Sequence, residues 1–238
     1  MGLDVYVGSL TRYHARDWLT VVQQAGRERS IPVEIVGPPP PDDAITDPEE
    51  IKKLVDAWRR GMAAATAKVV KTPWEWDESP SAPYFTDKPG WYGYNGVQML
   101  AACNEVRLRL PKELPEDLQR DNAWVDASGT KRYAHLYHPA VWLPMDFDHI
   151  FQGPMSNGHE VAFGSSPRLV AQLRDLNQRT LKASSDDLAR WRRADVVDGF
   201  PDDVADWTLE LAAKFGLAIF LGLAEKSVEA RLPMLLDW

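Results

Sequence analysis

With 238 residues, 45% apolar and 26% charged, the chain has the composition of a globular protein able to bury a sizeable core, which excludes disorder throughout. Its formal charge of −8, with no block of basic residues, excludes nucleic acid as the expected partner, since phosphates would be repelled. A single cysteine excludes an internal disulfide and a thiolate zinc cage, and the longest apolar run, at 217–224, falls far short of the roughly 20 residues of a membrane span.

In chain order, the first expected element is a strand over 3–7 (LDVYV), on its β-branched and aromatic content. The N-terminal residues lack the basic and apolar regions of a signal peptide, and Tyr6 stands where a myristoylation signal requires Ser or Thr. A cytoplasmic location is therefore expected. Over 14–29 the spacing becomes helical, with Trp18, Val21, Val22 and Ala25 on one face. A second strand is expected at 32–36, followed by a stiff Pro-rich segment at 37–41. Asp47 as N-cap, Pro48 at the first helical position and Glu49 and Glu50 in the first turn mark the next helix. Ile51, Leu54, Val55, Trp58 and Met62 give it an apolar stripe to about Ala67.

Residues 72–95 hold seven aromatic residues, four prolines and four carboxylates, so an aromatic, Pro-rich loop is expected there instead of a continuous helix. Residues 98–110 read as a helix, alone or running into a strand. Strands are then expected over 132–138, 141–147 and 159–166, separated by turn residues at 126–129, Pro139 and 156–158. Ser165 or Ser166 with Pro167 opens a helix carrying Leu169, Val170, Leu173 and Leu176, and another follows Ser184 and Ser185. The last helix is expected to open at Asp202 or Asp203. Trp207, Leu211, Phe215 and Ile219 lie four apart, while Leu209, Leu217, Phe220 and Leu221 fill its other faces, as in a buried helix. Together these predict one α+β domain over 1–238, a mixed or antiparallel central sheet packed by several helices, with a long buried C-terminal helix.

Three sets of residues are candidates for chemistry. His135, His138, Asp146, Asp148 and His149 are hard or borderline metal ligands within fifteen residues, the donor set of a metal-assisted hydrolase. On a strand, however, His135 and His138 would point to opposite faces. Gly164-Ser165-Ser166-Pro167 could hold an anion at a helix start, but it lacks the Lys and second glycine of a P-loop and reads first as a cap. It is not a nucleophile elbow either, and Cys103 sits among apolar neighbours as an inert thiol. The third set is the aromatic segment. Trp74, Trp76, Asp77, Trp91, Tyr92 and Tyr94 would offer aromatic anchors and charge to a basic protein. The rings of Trp74, Trp76, Trp91 and Tyr94 would alternatively stack on a sugar.

No diagnostic catalytic motif is present, and no cofactor is expected. The leading expectation is an acidic cytoplasmic protein that occludes a basic partner, in the manner of an immunity protein or antitoxin facing a toxin. A metal-assisted hydrolase and a glycan-binding module are the alternatives.

Overall fold

A computed structural model describes residues 2–31, 33, 45–115, 118, 121–198 and 208–238. Apart from Val33, the expected strand at 32–36 lies outside these residues. So do the Pro-rich segment at 37–41 and the expected helix opening at Asp202 or Asp203, with Trp207.

The chain runs β1 (Asp4–Val7), α1 (Leu10–His14), α2 (Val21–Glu28), α3 (Pro48–Thr66), β2 (Phe85–Asp87) and α4 (Gly90–Val106). It continues through α5 (Asn122–Ser128), α6 (Ala134–Tyr137), β3 (Val141–Leu143), β4 (Phe151–Pro154) and β5 (Glu160–Ser165). Then come α7 (Ser166–Arg179), α8 (Ser185–Asp198), α9 (Leu209–Ala230) and β6 (Met234–Asp237). The strands form one sheet in the order β2-β1-β6-β3-β5-β4, parallel between β3 and β5 and antiparallel elsewhere. The expected α+β architecture, with its mixed sheet and long buried C-terminal helix, is the one observed.

Helical layers cover both faces of this sheet, which is why β1 alternates so weakly: a strand buried on both sides needs apolar residues on both. Leu3, Val5, Val7, Trp142, Met234 and Leu236 face α4, α7 and α9. Tyr6, Val141, Leu143, Phe163 and Leu235 face the other way, against α3 and the segment carrying Trp74 and Trp76. Among the described residues, no helix is long and apolar enough to cross a membrane.

Local start signals were accurate guides. The Asp47 side chain accepts the Glu49 N–H at 3.0 Å, with Pro48 at the first helical position. The Ser165 hydroxyl accepts the Arg168 N–H at 3.2 Å to open α7, whose Leu169, Val170, Leu173 and Leu176 are all buried. α9 is capped by Thr208, and Phe215 and Ile219 are in the core, whereas Leu211 is exposed.

Four expectations are corrected. The helix expected over 14–29 is two short ones: Arg16 adopts a left-handed φ of 54°, and Thr20 restarts the chain as α2 through a capping box with Gln23. The strand expected at 132–138 is instead the single turn α6. Its buried Tyr133, Leu136 and Tyr137 carry helical spacing, while Tyr133, His135 and Tyr137 also alternate, so both periods were present. Helical backbone prevails because Gln98 Nε2 donates to the Leu136 and Tyr137 carbonyls and Gln172 Oε1 accepts the His135 N–H at 3.0 Å. The turn expected at 126–129 is the end of α5, with Gly129 as its C-cap.

The fourth correction concerns 72–95, which contains β2 and the first turns of α4. Here glycine serves close packing instead of a turn. A Cβ on Gly216 of α9 would fall on the Gly93 carbonyl oxygen, and one on Gly96 would stand 2.9 Å from the Ala212 carbonyl carbon. Gly93, Gly96 and Gly216 thus let α4 and α9 cross at short range, the heaviest helix packing in the fold.

Candidate functional site

The aromatic segment divides into a buried part and an exposed part. Trp74 and Trp76 are only 6% and 8% exposed. Their rings pack with Trp58 of α3, and Trp74 also meets Phe151 of β4. Arg59 of α3 lies over the Trp76 ring at 5.3 Å and donates to its carbonyl at 2.9 Å. Glu78 is buried too. Its carboxylate accepts the Leu10 and Thr11 N–H groups at 3.1 and 2.8 Å, and the Trp76 indole N–H as well, tying the segment to the start of α1. Tyr94 is buried against Phe220 of α9 at 5.1 Å.

Three of the six residues expected to meet a partner therefore belong to the core. The same burial removes Trp74, Trp76 and Tyr94 from any sugar-stacking platform, leaving Trp91 alone of that set.

The exposed part is built around Trp91, on the first turn of α4, which is 41% exposed. It contacts Trp238, which follows β6 and is 61% exposed, with ring centroids 6.0 Å apart. Tyr92 is half-buried beside it in sequence, and Tyr94 supports Trp91 from beneath at 6.3 Å. Asp77 is exposed; its carboxylate accepts the Ser79 N–H at 2.8 Å, which holds its pKa below the ordinary range. Sequence reasoning missed Trp238, because the short strand before it carries no turn or cap signal of its own.

The histidine–aspartate cluster does not assemble as a ligand set. His135 is buried, its Nδ1 accepts the Ser165 N–H at 3.0 Å, and its ring also bonds the Asp148 backbone. Burial lowers its pKa to about 4, so the ring is neutral at pH 7. Its carbonyl accepts the Trp142 indole N–H at 2.6 Å. Asp146 and Asp148 both pair with Arg168 of α7, at 2.6 and 2.9 Å. His138 and His149 are exposed. Among the described residues, no three His, Cys, Asp or Glu side chains gather as a metal site would require. His135, Asp146 and Asp148 lock the β3–β4 connection to β5 and α7.

The remaining candidates are structural as well. The Ser166 hydroxyl lies 2.6 Å from that of Ser227, both buried, beside the capping Ser165. Cys103 is buried, and desolvation pushes its thiol up to about 11, which removes the thiolate a nucleophile would need. One contact was invisible in sequence: His14 Nε2 lies 2.8 Å from Ser156 Oγ, across 142 positions. That is the distance of a base–nucleophile pair, and burial lowers the His14 pKa to about 4. No carboxylate stands behind His14 among the described residues, so the pair serves as a tie between α1 and the β4–β5 turn.

No protein-family model matches the chain, and no curated protein or solved structure gives a significant match.

Proposed function

We propose that this chain is an acidic protein-binding module that occludes a basic partner, as an immunity protein or antitoxin does with a toxin. The reading rests on the exposed Trp91–Trp238 pair: two large rings left 41% and 61% accessible and in mutual contact, on a protein carrying −8. Tryptophan is the residue type most often dominant at protein interfaces, because it buries much area at little entropic cost. The net negative charge would steer a cationic partner toward the surface and speed its capture. Trp91, Trp238 and the half-buried Tyr92 would make the contact, Asp77 would add charge, and Tyr94 would hold the surface from within. A cytoplasmic setting fits a chain whose only cysteine is a buried free thiol.

The test is affinity purification of the tagged chain co-expressed with the products of its neighbouring genes, followed by titration of any partner. The expected result is a basic partner in stoichiometric amount, with Trp91→Ala or Trp238→Ala weakening Kd by at least about tenfold at unchanged thermal unfolding. A chain that emerges alone from every combination, or a partner indifferent to both substitutions, would overturn the reading.

A further inference from the structure

The end of the β1–β6 ladder sets two carboxylates directly against each other, since Asp4 pairs in register with Asp237. Opposed residues in an antiparallel pair have Cβ atoms about 4.5–5.5 Å apart, and like charges there repel. The two groups are unequally served. Asp237 Oδ1 accepts the Tyr13 hydroxyl of α1 at 2.7 Å, whereas Asp4 Oδ1 is buried and accepts no hydrogen bond.

The charged groups around Asp4 do not relieve this. Lys88, just after β2, attracts its carboxylate, but Asp87 of β2 repels it, and so does Asp237 from β6. Asp87 is itself engaged by Arg192 of α8 at 2.5 Å. Tyr13 keeps its proton, because burial and the adjacent Asp237 push its ionisation upward. Asp4 is thus the group whose ionised form these surroundings disfavour, chiefly through desolvation. The residue that follows Asp237 is Trp238, whose ring rests on Trp91.

We propose that Asp4 and Asp237 form a proton-operated clasp: protonated Asp4 donates to the Asp237 carboxylate and fastens the end of β6, and ionised Asp4 loosens it and frees Trp238 from Trp91. The proton comes from solvent and returns to it, and no covalent bond changes. A neutral Asp4 turns a repelling cross-strand pair into a hydrogen-bonded one and occupies the carboxyl that now lacks a partner. The clasp governs the geometry of the aromatic pair whether or not that pair binds a protein, so it stands apart from the proposed function.

The test is 19F NMR of the whole chain labelled with 5-fluorotryptophan, with the Trp91 and Trp238 resonances assigned from Trp91→Phe and Trp238→Phe and followed between about pH 4 and 8. Both resonances should move together with one midpoint near 6. In Asp4→Asn both should stay at their acid positions across the range. In Asp237→Asn the opposing charge is gone, and the midpoint should fall toward the ordinary carboxylate range. Resonances that ignore pH in the unsubstituted chain would overturn the clasp, and so would a titration that persists in Asp4→Asn, which would assign it to another group. Should Asp4→Asn fail to fold, Asp237→Asn decides alone, because an unchanged midpoint rules the pairing out.

Discussion

Two tryptophan pairs have opposite fates. Trp74 and Trp76 sit two residues apart in extended chain, so both rings point the same way, into the layer between α3 and the sheet. The intervening Glu75 and the following Asp77 point to water. Trp91 and Trp238 come from the first turn of α4 and the residue after β6, and they meet at the surface. On α4 the stripe that faces α9 is taken by Gly93 and Gly96, about half a helical turn away from Trp91. The contrast teaches that aromatic density says nothing about exposure. What decides is which neighbouring residues claim the buried face, and on α4 the glycines do.

The largest effect is expected at the buried pair. Trp76→Ala should lower stability by about 3–5 kcal/mol in denaturant unfolding, because it empties a packed site, removes the ring beneath Arg59 and takes one of its N–H donors from the buried Glu78. A loss under about 1 kcal/mol would move Trp76 into the exposed class. Next in size is Gly216→Ala, expected to cost about 1–3 kcal/mol in thermal unfolding, since its methyl would meet the Gly93 backbone and push α9 from α4. A neutral result would mean that the glycine stripe does not set the orientation of Trp91.

Smaller effects sharpen the exposed side. The Asp4 pKa is raised to about 6, first by burial and then by Asp237 and Asp87 against the attraction of Lys88. Because the folded value lies above the unfolded one, this group favours folding most when both states are protonated, below about pH 4, and that advantage is lost as pH rises through 6. Asp4→Asn should therefore match the unsubstituted protein in acid and exceed it by about 1 kcal/mol at pH 7.5, a figure reduced for solvent screening of a partly exposed carboxylate. Urea titrations at several pH values would read it, and a variant less stable at neutral pH would show that the charge is compensated. The smallest change is expected from Trp91→Ala and Trp238→Ala, each within about 0.5 kcal/mol in thermal unfolding. A larger loss from either would place that ring in the core with Trp74 and Trp76.

The elements legible from the residues alone are those whose signals are local. Asp47 with Pro48 and Ser165 with Pro167 settle their helices within a turn or two, and Phe215, Leu217, Ile219, Phe220 and Leu221 on several faces mark α9 as buried, since a cap or an apolar face needs only its near neighbours. The rest follows from contacts between distant segments. Residues 133–137 carry both strand and helix periods, and partners at Gln98 and Gln172 select the helix. Asp146 and Asp148 look like ligands until Arg168, about twenty residues on, pairs with both. Trp74 and Trp76 are core because α3 covers them, and Asp4 faces Asp237 because the first and last strands pair. In each case the choice rests on burial and charge supplied from distant parts of the chain, which no local window of residues contains.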